Sequence, residues 1–570
     1  MTTSTVPVIV QYENDPSEAE VASVNSLGPV SKRMHSIHSI ATKVPASQLA
    51  ALASRPGVAY VSLDRKVVAH QTVTPIGTSP EFTAEPINAP WALSQSFNGE
   101  GVGVAVIDSG ITPVDDLGPT SKNGPSRLVY SANFVPNETT TADPYGHGTH
   151  VAGLIAGNGT DSTGAAFSRT FTGIAPHARL INLRVLDENG EGSDSAVIAA
   201  IETAISLKTT YHIKVINLSL GRPIYESYTL DPLCQAVEQA WKAGILVVVA
   251  AGNDGRDLAL NTEGYGTINA PGNDPYVITV GATNAMNTAP VSDDVMASYS
   301  SKGPSFIDQV AKPDIIAPGN LVTSLLAPQS ALQPANPSFY TPLSWYVAKG
   351  TSAASTTYYP LSGTSMATAV TSGALADLME VAGYLTPDQV KVLLMLSANK
   401  SVIPQTNVVT DAGSTFVAHN DVFTQGAGYL DLEATIKNTW SYAWAIPTTG
   451  YAMSPIASYD ATTGNVSLVV DSTALWGRSG PVGMTALWGR TAIYGQNAFL
   501  PSSDTALWGR TALWGRDDPQ AFTALWGRTA LWGRGTPDAE TALWGRDDSD
   551  GSTALWGRTA LWGRTALWGR

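Results

Sequence analysis

The stretch Gly363-Thr364-Ser365-Met366-Ala367-Thr368 sets a serine between a Gly-Thr turn and an apolar run, 366–382, that reads as a helix. A serine hydroxyl is a weak nucleophile until a neighbouring group takes its proton. At a helix N-terminus the oxygen is exposed, and unpaired backbone N–H groups face any developing anion. Such a serine needs a base, an acid to orient the base, and a donor for the anion. Three tight motifs upstream supply candidates. Asp108 closes an apolar run and is followed by Ser109-Gly110. His147 sits in Gly146-His147-Gly148-Thr149-His150, between glycines that let another backbone approach closely. Asn253 lies in Ala250-Ala251-Gly252-Asn253-Asp254-Gly255. Singly, each has a plainer reading: a turn acid, a structural histidine, a turn asparagine. His147 and His150 share a helix face and also invite a metal. No third ligand has matching spacing, however, and no glutamate stands where a zinc-peptidase helix needs its base. Together, in the order Asp, His, Asn, Ser, the four point to nucleophilic catalysis.

The elements that must position them follow from the apolar pattern. Continuous apolar runs at 102–108, 180–186, 215–220, 245–251 and 277–281 read as buried strands. Helical stretches at 147–156, 195–207 and 230–243 lie between them. That alternation predicts an α/β fold with a doubly wound parallel sheet, whose ligands bind beyond the carboxyl ends of the strands. Asp108, Gly221 and Asn253 all stand at or just past strand ends. Residues 6–69 read as a separate small α+β unit of ferredoxin-like, split β-α-β type. Its strands are 6–12, 38–44 and 58–63, and its helices 16–27 and 46–53, the second with Ser47 as cap. The partition expected is 1–75 for this unit, 76–436 for the main domain, 437–472 as linker and 473–570 as a repeat tail. Residues 70–90 lack periodicity and read as a connecting segment.

The segments 104–110, 146–153, 217–221, 250–253 and 363–367 resemble the subtilisin-like serine peptidases, the subtilase family, over about residues 90–435. The resemblance implies that Ser365 is the nucleophile, His147 its base, and Asp108 the acid that orients the imidazole. It implies an oxyanion hole made by the Asn253 side-chain amide and the Ser365 backbone N–H. Polypeptide substrates would bind as an added strand between Ser219-Leu220-Gly221 and Gly190-Glu191-Gly192. Residues 267–272 would line the first pocket. There Asn269 is neutral and no buried acid is expected, which implies apolar or aromatic residues before the cut. The Ala270-Pro271 bond would be cis. Residues 6–69 would be the chain's own inhibitory propeptide, with 67–70 as final strand and tail, and cleavage would follow between about 70 and 80. No cofactor is required on this reading. Structural calcium is common in the family, but only Asp115 and Asp116 offer themselves as ligands, and both read better as surface turn acids.

Composition narrows the alternatives. The net charge of −15 argues against nucleic-acid binding. The one cysteine, Cys234, forms no disulfide within the chain and reads as a small core residue. The N-terminus shows no secretory signal and no run is long enough to span a bilayer, yet a propeptide argues for export, so an extracellular or cell-surface location is expected. The hexapeptide Thr-Ala-Leu-Trp-Gly-Arg recurs in ten intact copies from 473 onward. Its period is even, its ligand is unknown, and chain entropy predicts disorder or short local turns. The competing function is a catalytically inactive binding or adhesion protein that works through these repeats.

Overall fold

The computed structural model describes residues 5–69, 71, 82–121, 124–256, 263–404, 406–411, 414–448, 450–460, 465–469 and five short segments of the tail. The N-terminal unit comprises β1 (Thr5–Tyr12), α1 (Glu18–Asn25), β2 (Val30–Met34), β3 (Ser39–Pro45), α2 (Leu49–Ala53) and β4 (Val58–Leu63). Its antiparallel strands run in the order β2-β3-β1-β4. Side chains alternate across a strand, and β1 uses both faces. Val8, Val10 and Tyr12 join a small core with Val24 and Leu52 of the unit's own helices. Ile9, between them, joins the core of the main domain instead, with Met34, Ile37 and Ala41. The sheet is thereby pinned face-down on the main domain.

Two details differ from the sequence expectation. Strand β2 was not foreseen, because Val-Ser-Lys-Arg-Met carries no apolar alternation and sits at an edge. Ser47 does not cap a helix, because residues 46–48 form a separate 3-10 turn before α2.

The unit ends in β5 (Lys66–Ala69). Then follow α3 (Ala89–Ser94), β6 (Gly103–Asp108), β7 (Leu128–Asn133), α4 (His147–Ala156), β8 (Arg179–Arg184), β9 (Glu191–Ser193) and α5 (Asp194–Tyr211). Next come β10 (Ile213–Leu218), β11 (Leu220–Gly221), α6 (Pro232–Lys242), β12 (Leu246–Ala250), β13 (Ile278–Asn284), β14 (Val295–Met296) and β15 (Ile315–Pro318). The hairpin β16 (Val322–Leu325) and β17 (Tyr358–Leu361) leads into α7 (Thr364–Ala382) and α8 (Pro387–Ser397). The main sheet runs β14-β13-β12-β10-β6-β8-β7, with β15 also beside β13, and only β14 is antiparallel. Every residue of β6 and β12 is buried, as a sheet covered on both faces requires. Helix α7 is apolar nearly all round and accordingly lies inside, buried from Thr364 to Met379.

Residues 437–457, expected to begin a linker, fold onto this domain. Asp388 accepts from the Ala452 N–H at 2.5 Å, and Ser454 donates to Asp314 at 2.5 Å. Ile446 and Ala452 are buried. Most of the tail lies outside the described residues. The described copies are short strands rather than turns. Leu507–Gly509 pairs in parallel with Leu525–Gly527, and Ala512–Arg516 with Ala530–Arg534, like residue opposite like. An even repeat permits this, since every copy keeps the same register.

Candidate active site

Three strand ends and two helix starts converge here. Asp108 ends β6, and its Oδ1 lies 2.7 Å from His147 Nδ1. His147 opens α4 and is fully buried, as is Ser365 at the start of α7. The imidazole can reach the acid because α4 packs directly on the turn after β6. A Cβ at Gly148 would stand 2.1 Å from the Gly110 carbonyl oxygen, so only glycine fits. The Ser365 hydroxyl donates to the Ser219 carbonyl at 2.9 Å, and Ser219 Oγ returns a bond to the Ser365 carbonyl at 3.0 Å. His147 Nε2 has no hydrogen-bond partner among the described residues.

Asn253 lies just beyond β12. Its Oδ1 accepts from the Thr364 N–H and hydroxyl, both at 3.0 Å, which leaves the Nδ2 hydrogens for another acceptor. Asn253 thus caps α7 from outside the helix, next to the serine.

The two expected binding edges, 190–192 and 219–221, do come together, and the chain itself fills the space between them. Strand β5 lies between β9 and β11, antiparallel to both. Val67 is paired with Gly192, Val68 with Glu191 and Gly221, and Ala69 with Leu220.

The subtilase family model matches residues 99–428. The chain belongs to the subtilase family. This subtilase is a serine endopeptidase of the subtilisin kind. It is 34% identical over 406 residues to the serine protease AprX of Bacillus subtilis (strain 168), covering 69% of this chain and 83% of AprX. It is 35% identical over 300 residues to Subtilisin E of the same strain, covering 52% of this chain and 66% of that protein. Among solved structures, fervidolysin from Fervidobacterium pennivorans, a keratinolytic enzyme related to subtilisin, superposes with a TM-score of 0.54 at 22% identity. That match covers 76% of this chain and 61% of fervidolysin, and it shows the shared fold.

The subtilase also holds its site with residues that motif reading passed over. Asp143 is buried and accepts from the Gly146 N–H at 2.6 Å, the Thr149 N–H at 2.7 Å and the Ser109 hydroxyl at 2.8 Å. It ties the start of α4 to the end of β6. An acid four residues before an apolar helix was the available signal. Asn217 donates to Ser219 Oγ at 2.9 Å and accepts from Ser372 of α7 at 2.9 Å, locking β10 to the helix that carries Ser365. Arg222, buried behind β11, pairs with Asp194 at 2.8 Å and Asp231 at 2.7 Å.

Several expectations shift. Asn269 is buried and donates to the carboxylate of Asp254 at 3.0 Å, an exposed acid rather than a buried one. Ala270-Pro271 is cis, as expected. Asp115 is exposed, whereas Asp116 is not a surface acid. It accepts from the Asp161 N–H at 2.7 Å and the Tyr358 hydroxyl at 2.5 Å, and burial raises its pKa. Among the described residues no group of three or more His, Cys, Asp or Glu is placed to hold a metal ion. His150 points away from any such role. Its Nε2 lies 3.2 Å from the Tyr359 carbonyl, and its ring meets the Tyr359 ring edge-on at 5.2 Å.

Burial, helped by the nearby His147, lowers the His150 pKa from 6.5 to about 3. Between those values the unfolded chain holds a proton that the folded chain does not. Stability is therefore lost as pH falls through that window, by up to about 5 kcal/mol. In the Ser365→Ala background, chosen so that self-digestion is expected to be absent, His150→Gln should flatten this acid loss by about one proton in slope. Urea titrations from pH 7 to 4 measure it. An unchanged slope would show that His150 does not titrate in unfolding.

Proposed function

We propose that this subtilase hydrolyses peptide bonds in polypeptides through an acyl-enzyme on Ser365. In this reading His147 takes the hydroxyl proton and later gives it to the leaving amine. Asp108 keeps the imidazole in the tautomer that presents Nε2 to the serine. The Asn253 Nδ2 and the Ser365 backbone N–H receive the oxyanion. The observation that carries the reading is β5, a segment of the chain lying as an added strand in the cleft and heading toward Ser365. A cleft that binds an extended peptide on both sides, beside a serine at a helix start, is what endoproteolysis requires. The same observation supports residues 1–75 as an inhibitory propeptide that holds the site shut until it is cut off. The subtilase would then be made as a zymogen. Export fits this scheme, since one relative is an extracellular serine proteinase from a Thermus strain, 31% identical over 398 residues. No helix among the described residues is long and apolar enough to cross a membrane. Any structural calcium would need ligands beyond Asp116, whose carboxylate is already engaged.

Intact-mass measurement of the purified protein, before and after a serine-directed phosphonate, tests the reading. One adduct on Ser365 and loss of an N-terminal fragment are expected; an unlabelled, uncut chain would refute it. Asn253→Ala should cost about 10²–10³ in turnover with a smaller change in KM, because the amide acts on the transition state. Ending the chain at residue 472 should leave hydrolysis of a small peptide within about twofold. A defect should show only on large or surface-bound substrates, where repeated weak contacts add. Failure of the shortened chain to mature would place the repeats within the folding unit.

A further inference from the structure

The hexapeptide tail keeps a frame that its copies alone do not require. From Thr505 to Arg570 the six-residue frame is unbroken, because the spacers at 517–522, 535–540 and 547–552 are each six residues long. Asp-Asp-Pro-Gln-Ala-Phe, Gly-Thr-Pro-Asp-Ala-Glu and Asp-Asp-Ser-Asp-Gly-Ser share a length and no common sequence. A flexible linker works at any length, whereas a regular array of strands keeps one period. The described strands use this frame. Leu507–Gly509 pairs in parallel with Leu525–Gly527, Ala512–Arg516 with Ala530–Arg534, and 531–532 with 561–562. The partners are 18, 18 and 30 residues apart, and like stands opposite like in all three. Pairing therefore follows the identity of the strand, not the length of chain between the two, and does not require that both belong to one chain. One end of the ladder is closed. Ala512–Arg516 also pairs antiparallel with β4, Gly515 opposite Tyr60, and so joins the sheet of the N-terminal unit. At the other end Leu561–Trp562 has no outer neighbour among the described residues. Among them the sheet of Leu507–Gly509 and Leu525–Gly527 has two strands only, so both of its outer edges are open. An open edge is a template for a further strand, and the strand that continues these ladders in register is another copy of the same proline-free hexapeptide.

We propose that the repeats are a self-recognition surface whose partner is the repeat tail of a second copy of this chain, added as parallel strands in the same register. The two outer edges of a parallel pair are different surfaces, so joining one to the other does not close on itself, and assemblies grow past the dimer. Each pairing of such short strands is weak, but ten copies per chain act together. The register also sets Arg516 opposite Arg534, like charge against like. Added salt screens that repulsion and favours the contact.

The test is sedimentation velocity over a concentration series of the full-length Ser365→Ala chain, with its length confirmed by mass. Two variants accompany it. One ends at residue 472. The other carries proline for leucine in all ten intact copies, Leu513→Pro and Leu531→Pro among them, which removes ladder N–H groups and leaves every tryptophan and arginine in place. The full chain should rise in mass with concentration past a dimer, and the shortened chain should stay monomeric. The proline chain should associate at least about 100-fold more weakly. Salt should tighten the association of the full chain. A large excess of a synthetic peptide of residues 505–516 should lower the mass of its assemblies, a readout that does not depend on how the proline chain folds. A full chain that stays monomeric throughout overturns the proposal and leaves the repeats paired only within their own chain. Association that survives in the proline chain, or that the peptide leaves unchanged, also overturns it. So does association that weakens steadily with salt, which would assign the contact to tail arginines on the acidic surface of another copy.

Discussion

Ser365→Ala should lower peptide hydrolysis by about 10⁶ in turnover and leave the chain uncut at its full 570 residues. The size of the effect follows from how the site is built. On the proposed mechanism, removing the hydroxyl removes the atom to be acylated, and the remaining groups have no partner step to assist. Asn253 and the helix start still polarise a carbonyl, so water attack on a bound peptide keeps a small residual rate. The fold itself should survive. Ser365 is fully buried, but its hydroxyl makes a single bond, to the Ser219 carbonyl, and the Ser219 hydroxyl still reaches the residue 365 carbonyl after substitution. One experiment reads both consequences. The variant should run as one full-length species, while the parent yields a shorter one, and a peptide assay should fall to background. Substantial hydrolysis by purified Ser365→Ala, free of contaminating peptidase, would sink the assignment. Processing in the variant without hydrolysis would point to cutting by a second enzyme.

Arg65→Ala should weaken the hold of the N-terminal unit on the main domain by about 10²-fold or more, once the connecting bond is cut. Arg65 ends the link between β4 and β5, and it forms a two-pronged pair with Glu226, with one contact at 3.2 Å. The Tyr60 hydroxyl donates to the same carboxylate at 2.8 Å, and the Tyr225 ring stacks 5.0 Å from the guanidinium. The Arg65 side chain is 6% exposed and that of Glu226 not at all, so the pair is shielded from solvent screening. Removing one partner of such a pair leaves a buried charge uncompensated, which costs about 3–5 kcal/mol. At about 1.4 kcal/mol per decade, that is two to three and a half decades in dissociation. Gel filtration of the matured protein should show the released unit, and activity should appear without a lag. Replacing both residues with a leucine–methionine pair should restore much of the hold, because apolar packing can substitute for a buried ion pair. If Arg65→Ala matures with the unit still tightly held, the interface rests instead on the apolar face of Ile9, Met34 and Ala41.

The parts of the molecule legible in the sequence are those whose conformational demands lie within a few consecutive residues. Helix α4 was bounded to the residue, because Gly146 and Gly148 allow its entry and the apolar run that follows has only one stable reading. Strands β6 and β12 announced themselves as continuous apolar runs, and β8 and β10 as apolar runs broken by single polar residues such as Asn182 and Asn217. A strand covered on both faces has few polar positions, so the run itself marks a buried strand, while its register is left to the pairing. The failures have an equally local cause. Strand β2 is an edge with a charged, mostly half-buried sequence, and nothing in it demands a sheet until β3 offers one. The segment 437–457 looked like a linker because, past the helix Leu432–Tyr442 that the expected boundary cuts, its contacts are scattered singles: Ile446, Ala452 and Ser454, each meeting a distant partner.

What the sequence determined by itself is therefore the kind of chemistry and the frame that carries it. The types and order of Asp108, His147, Asn253 and Ser365 pointed to serine catalysis, and the apolar periodicity specified a parallel sheet. The tertiary structure decided the rest, through pairings that no short segment encodes. It set β5 between β9 and β11, strands more than a hundred residues from it along the chain, because two unpaired edges in one cleft take up a third strand of fitting register. It brought Asp143 beneath His147 and Asn217 against Ser372. It also turned the Ser365 hydroxyl to the Ser219 carbonyl, a choice of rotamer that depends on which acceptor lies within reach. A residue's identity fixes what bonds it can make. Which of them it makes depends on neighbours that only the folded chain brings within hydrogen-bond distance.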